Sequence, residues 1–177
     1  MTAPILEDKE GITLVINGDA PLLRKETLDA LVQVHQENKN QATLLTAHCD
    51  TSKSFGRILR NAQGDVDAIV EVKDATPEQL AITEMNTGIY CFDNQLLFEA
   101  LKQVTNDNAQ KEYYITDVVK ILNQMGKKVG SCVISDFDEV GGINDRVELA
   151  KAQKKLQLPV NHELLLNGVT ILDPENT

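Results

Sequence analysis

With 177 residues, 42% of them apolar, the chain is long enough to bury a core of ordinary size as one globular domain. Its 17 Lys and Arg against 27 Asp and Glu leave a net charge of −10, which disfavours nucleic acid as a partner and leaves an anionic small molecule possible only through a metal ion or a backbone pocket. No run approaches the roughly 20 apolar residues of a membrane span, and the opening MTAPILEDKEG lacks the basic and apolar regions of a signal peptide; the expectation is a soluble, cytoplasmic chain with no membrane partner.

In chain order, Ile12 to Ile16 is a continuous apolar, partly β-branched run that reads as a strand buried on both faces, ending at Asn17-Gly18-Asp19. Leu28, Leu31, Val32 and His35 recur at helical spacing and predict a helix starting near Pro21. Thr43 to Ala47 reads as a strand, and Arg57 to Arg60 with Val66 to Val72 as a hairpin whose Gly64 supplies a positive φ. Residues 74–83 are a polar excursion before a strand at Met85 to Phe92. Leu97, Leu101 and Val104 share one helical face, and Ile115, Val118, Val119 and Leu122 another. Val129 to Ile134 predicts a strand, residues 136–144 a Gly-containing loop, and Asp145 the cap of a last helix to about Leu156. The alternation predicts an α/β fold, with a mostly parallel sheet and ligands at the carboxyl ends of its strands. Cys49, Cys91 and Cys132, odd in number and set in apolar contexts, read as reduced buried thiols.

Asp19 stands just beyond the first strand, where open α/β sheets bind ligands, and Gly18 beside it lets a ligand approach the backbone. Asp19 is therefore a candidate metal ligand, or else the cap of a helix that Pro21 opens. Asn144, in Gly141-Gly142-Ile143-Asn144-Asp145, offers a hard neutral oxygen suited to Mg²⁺, or else belongs to a loop and helix cap. Gly56, ahead of a strand, could present bare backbone to a sugar hydroxyl or mark a bulge. Asn86 can donate and accept, as sugar recognition demands, and Glu71 and Lys73 occupy the same face of one strand by the period of two, though each alone is ordinary surface. At the start of the helix that carries Ile115 and Val118, Tyr113 or Tyr114 reads as packing the helix on the sheet. His35, His48 and His162 show no ligand spacing, and His35 reads as a satisfied core or edge residue.

Six motifs in order, NGDAPLL, FGRI, IVEVKDAT, EMNTGIYCFDN, NDNAQKEYYITDVV and GGINDRVELA, resemble the later part of the uridylyltransferase domain of bacterial bifunctional N-acetylglucosamine-1-phosphate uridyltransferases, over roughly residues 11–172. The order of the six is far more specific than any one of them. Ser54-Phe55 stands where Gly-Tyr is frequent, and Lys111 where Gly is usual. The resemblance implies a nucleotide-diphospho-sugar transferase fold, Rossmann-like, with a mixed sheet and helices on both faces. It also implies an enzyme that makes UDP-N-acetylglucosamine, a cell-wall precursor, from UTP and N-acetylglucosamine 1-phosphate with Mg²⁺, releasing pyrophosphate. Asp19 and Asn144 would hold the metal, and Gly18, Gly56, Glu71 and Asn86 would contact substrate.

The family's LAAGxGTRM-like Gly-rich loop and its catalytic Lys have no counterpart before Gly11, and no hexapeptide repeat of a left-handed β-helix is present. The expectation is a partial domain over 1–177, without the first nucleotide-binding βα units, with a flexible start over 1–10 and a stub over 173–177. Such a chain would be inactive alone, self-associating or awaiting a complementary nucleotide-binding half. Otherwise it would be a catalytically silent sugar-phosphate-binding module.

Overall fold

A computed structural model describes residues 2–49 and 54–177; Met1, within the expected flexible start, lies outside them. The chain forms two compact units, one built from the residues through Ile16 and Lys25–Phe137, the other from Asn17–Arg24 and Asp138–Thr177.

The first unit carries the sheet. Its strands are β1 (Ile12–Val15), β2 (Ala42–His48), β3 (Arg57–Arg60), β4 (Val66–Val70), β5 (Glu84–Asp93) and β6 (Val129–Ile134), and its helices are α1 (Ala3–Leu6), α2 (Lys25–Glu37), α3 (Pro77–Leu80), α4 (Asn94–Leu101) and α5 (Asp117–Gln124). The strands run in the order β4-β3-β5-β2-β6, and β1 also pairs with β5. The fold is mixed α/β, as expected, but the sheet is not mostly parallel: among the described strands only β2 and β6 run parallel. Alternation fixes its two faces. Ala42 and Leu44 join Tyr90, Phe92, Leu97, Val118, Val119 and Leu122 in one buried cluster, whereas Thr43 points the other way, to a hydrogen bond with His35 of α2.

Several expectations shift. β1 is not buried on both faces: Ile12, Leu14 and Ile16 are 37%, 37% and 43% exposed, because β1 pairs only with β5. The helix after Asp19 starts at Lys25, not near Pro21, which lies in a turn. β4 stops at Val70, so Glu71 and Lys73 occupy a turn rather than one strand face. Near the start of the chain the short helix α1 forms, and the buried Asn94 amide donates to the carbonyls of Leu6 and Lys9. Of the three free cysteines only Cys91 is fully buried, which pushes its thiol up to about 12; Cys49 and Cys132 are partly exposed.

Two side-chain clusters tie the strands. Arg60 on β3 grips Glu84 on β5 with two bonds of 2.7 and 2.6 Å and reaches Ser131 on β6, while Thr46 on β2 donates to Glu84 at 2.9 Å. Burial alone would raise the Glu84 pKa, but the bonds from Arg60 and Thr46 and the Arg60 charge hold it below the ordinary value. In the other cluster, Asn40 donates to Thr43 beside the His35 contact, each at 3.0 Å.

Helix α2 closes with Asn40 N–H bonding the His35 carbonyl and Lys39 N–H bonding the Gln36 carbonyl, the paired bonds of a Schellman cap. The C′ residue is Lys39 at φ 53°, whereas the same cap on α5 uses Gly126 at φ 69°. Lys111, where the resembling family usually has Gly, also takes a positive φ of 58°. A side chain in this region costs about 1–2 kcal/mol, partly offset by the greater freedom of Gly in the unfolded chain. Lys39→Gly and Lys111→Gly are each expected to stabilise the protein by about 0.5 kcal/mol, measured by denaturant titration.

Burial lowers the His35 pKa below its ordinary 6.5, against a smaller opposing effect of the Asp93 charge. Below pH 6.5 the unfolded chain therefore binds a proton that the folded chain refuses. Folding stability should fall as pH drops from 6.5 and level off once the folded-state pKa is passed. His35→Gln should flatten this slope, measured by denaturant titration at successive pH values.

Candidate functional site

In the first unit, register alone gathers three of the expected residues. Arg57 pairs with Val70 on one side and with Met85 on the other, so Gly56 lies between Glu71 and Asn86. The Asn86 N–H donates to the Gly56 carbonyl at 2.9 Å. A Cβ on Gly56 would stand 3.1 Å from the Val70 carbonyl oxygen and 3.5 Å from a Glu71 carboxylate oxygen. Gly56 is thus a close-approach position whose carbonyl is already engaged by the protein.

Asn86 sits at an irregularity of β5. Leu44 pairs with Tyr90 and Thr46 with Asn86, so residues 87–89 lie opposite Leu45 alone. Gly88 takes φ 78° within this bulge and turns its N–H back to the Asn86 Oδ1 at 3.3 Å. Thr87 donates to the Leu45 carbonyl at 2.7 Å, and the Asn86 Nδ2 donates to the Tyr90 hydroxyl at 2.8 Å. Asn86 is 6% exposed and Tyr90 1%.

Glu71 is half-buried. Burial raises its pKa and the charges of Asp74 and Asp117 add to that, while a bond from the Thr116 hydroxyl opposes them. Burial, with the charge of Asp74, likewise raises Asp117, against Lys120. Burial, together with the Glu71 charge, pushes the Tyr90 phenol far above its ordinary value despite the Asn86 bond, so it stays protonated. Thr116, at the N-cap of α5, makes no side-chain cap bond and serves Glu71 instead. The sequence reading missed Thr116 and Tyr90. Spacing could have found Tyr90, since positions 86 and 90 share a face in a regular strand; nothing local points from Thr116 to Glu71. Of the two tyrosines, Tyr113 is 73% exposed, whereas Tyr114 is partly buried and accepts a bond from Gln110 at 2.6 Å. Lys73 donates to Gln110.

The second unit holds Gly18, Asp19 and Asn144 on a two-segment frame. The Ile143 N–H donates to the Asp19 carbonyl at 3.0 Å, and Arg24 pairs with the buried Glu139. These contacts bring the Asp19 segment beside the Gly-rich loop. A Cβ on Gly142 would stand 2.7 Å from an Asp19 carboxylate oxygen, so this carboxylate lies where only Gly leaves room. Asp19 is exposed and six residues ahead of α2, which removes the capping alternative. Gly18 is exposed, with open space where its Cβ would lie.

Asn144 precedes helix α6 (Arg146–Leu166), which runs well beyond the expected Leu156 and through Pro159. Asp145 caps it, accepting from Val147 and Glu148 at 2.8 Å each, and the Asn144 N–H donates to the Glu148 carboxylate at 2.6 Å. The cap therefore uses the Asn144 backbone and spares its side-chain oxygen. An exposed carboxylate and an exposed carboxamide oxygen on adjoining loops are hard donors that fit Mg²⁺, which takes one or two protein oxygens and keeps waters or phosphates for the rest. Among the described residues no group of three or more His, Cys, Asp or Glu could hold a metal.

The fold class has close counterparts among solved structures. A nucleoside-diphosphate-sugar pyrophosphorylase from Vibrio cholerae RC9 superposes with TM-score 0.52 at 16% identity, covering 74% of this chain and 51% of that one. A CMP:2-keto-3-deoxy-manno-octonic acid synthetase complexed with CTP gives 0.59 at 15% identity, covering 82% and 61%. The nucleotidyl transferase family profile matches residues 2–155, and the chain belongs to that family. It is 51% identical over 173 residues to the bifunctional protein GlmU of Pediococcus pentosaceus, covering 98% of this chain and 37% of that protein. It is 50% identical over 177 residues to the bifunctional protein GlmU of Streptococcus suis, covering 100% and 38%. The chain spans little more than a third of these relatives.

Gly142→Ala is expected to displace the Asp19 carboxylate and, if Asp19 holds a divalent ion, to weaken Mn²⁺ binding about tenfold or more, read by paramagnetic broadening of NMR signals. Gly141→Ala, whose Cβ meets only the Asp138 carbonyl at 3.5 Å, should leave it unchanged.

Proposed function

We propose that this chain supplies the acceptor-sugar and metal-binding residues of a uridylyltransferase that joins UTP and N-acetylglucosamine 1-phosphate into UDP-N-acetylglucosamine. The observation that carries the reading is the convergence of Gly56, Glu71 and Asn86 at one end of β3, β4 and β5. The ordered run of six motifs supports it, as does the identity of about half to proteins called GlmU. Glu71 accepts from a sugar hydroxyl or amide, Asn86 both donates and accepts, and Gly56 keeps the wall between them flat. Gly18 lets phosphate approach the backbone beside Asp19. Asp19 and Asn144 are the proposed ligands of Mg²⁺, which when bound would neutralise phosphate charge.

In the reaction a phosphate oxygen of the sugar phosphate bonds to the α-phosphorus of UTP. The bond from that phosphorus to the bridging oxygen breaks, and pyrophosphate leaves with the electron pair. No protein nucleophile is needed; positioning and charge compensation do the work. The setting is a cytoplasmic one, serving cell-wall precursor synthesis.

The 177 residues contain no Gly-rich loop to cradle the triphosphate. We therefore take this polypeptide by itself to bind the sugar phosphate without turning it over, with the nucleotide held by a further segment. Pyrophosphate release from UTP, N-acetylglucosamine 1-phosphate and Mg²⁺ should stay at background. Calorimetry should show sugar-phosphate binding that Glu71→Ala weakens about tenfold or more. Turnover on the order of 10 per second from the verified single chain would overturn the silent reading, and binding indifferent to Glu71→Ala would remove the sugar assignment.

A further inference from the structure

The Gly88 N–H can only donate, so the atom of Asn86 that faces it at 3.3 Å is the oxygen. The nitrogen is then the atom that faces the Tyr90 hydroxyl at 2.8 Å; the Gly88 N–H settles the orientation of a carboxamide that is otherwise nearly symmetric in shape, and the Tyr90 hydroxyl holds the group in place. Each partner is itself held. Gly88 is fixed by its positive φ within the bulge. Tyr90 is 1% exposed in the main core cluster, with its ring 5.5 Å from that of Phe92. A carboxamide has two N–H donors and two oxygen lone pairs. One of each is used within the protein, which leaves one donor and one acceptor for a ligand.

We propose that Tyr90 is a positioning residue that sets sugar specificity: the Gly88 N–H fixes which end of the Asn86 carboxamide faces the bulge, and the Tyr90 hydroxyl locks its plane, so that its remaining N–H and lone pair match the acetamido group of the sugar phosphate. The inference rests on the assignment of Asn86 to the sugar. An acetamido group presents an acceptor C=O and a donor N–H in fixed directions, so a carboxamide whose plane can rock would meet it only part of the time. A sugar hydroxyl both donates and accepts and can rotate to follow such a carboxamide. Loss of the lock should therefore penalise N-acetylglucosamine 1-phosphate and spare glucose 1-phosphate. Tyr90 touches no ligand in this scheme and acts only through Asn86.

The test is calorimetric titration of the full chain with both sugar phosphates, for the wild type, Tyr90→Phe, Tyr90→Met and Asn86→Ala, with thermal melts run in parallel. Tyr90→Phe keeps the ring against Phe92 and removes only the oxygen; Tyr90→Met removes it in a second packing context. The expected result is a five- to tenfold loss of affinity for N-acetylglucosamine 1-phosphate in both Tyr90 variants. Affinity for glucose 1-phosphate should change less than twofold, so that the preference between the sugars collapses. Equal weakening for both sugars would make Tyr90 a merely structural residue and overturn the proposal, as would two Tyr90 variants that bind like the wild type. Asn86→Ala without effect, or a wild type that binds neither sugar phosphate, would instead remove the sugar assignment on which the proposal stands.

Discussion

Strand β5 is bound by two demands that conflict. It must run straight enough to pair with β2 along one side and with β3 and β1 along the other. It must also break its own pleat at residues 87–89, where three residues face one. A regular strand would place Asn86, Gly88 and Tyr90 on one face at even spacing, with no backbone donor turned toward the Asn86 oxygen. The bulge supplies that donor, at the cost of one ladder irregularity that the Thr87 hydroxyl partly repairs through the Leu45 carbonyl. The rest of the first unit supports this strand. The Arg60–Glu84 pair anchors its start, and Asp93 accepts from Leu96 to turn its end directly into α4.

The Arg60–Glu84 pair at the start of β5, a buried carboxylate against a partly exposed guanidinium, is better understood as a register device than as a source of net stability. A carboxylate taken from water recovers little beyond its desolvation even when well bonded. A shift of β5 by one residue, however, would strand Glu84 without Arg60 and Thr46, leaving a buried carboxylate uncompensated. Since Gly56, Glu71 and Asn86 meet only through the same register, the pair guards the grouping of these three residues from a distance.

Most strands and the core faces of the helices were legible in the sequence because period-two and period-3.6 patterns are local. The hairpin of β3 and β4 was legible for the same reason. Three kinds of feature were not. Pro21 follows the general preference for Pro at a helix start, yet the turn there persists until Lys25, and the Arg24 side chain is drawn to the buried Glu139. The last helix runs beyond the expected Leu156 and through Pro159, which costs α6 local bonding, and Asn161 in the next turn is tied to the carbonyls of Pro174 and Thr177. Burial of Ile12 to Ile16 was overestimated because an apolar run reports what a strand can bury and not how many neighbours it has. For the candidate sites, the residue types were readable one by one, whereas the Thr116–Glu71 bond and the Asp19–Gly142 fit depend on contacts far apart in sequence.

The two-segment build of the second unit has a consequence in time. Residues 17–24 are synthesised more than a hundred residues ahead of the loop at 141–144 that shelters the Asp19 carboxylate. Closing so long a loop is an entropic toll levied late, after the nearer contacts of the sheet have formed. Asp19 therefore waits for most of the intervening residues to emerge before the Gly142 segment can close beside it. The surroundings of this carboxylate form later in synthesis than the hairpin of β3 and β4, whose strands are neighbours in sequence.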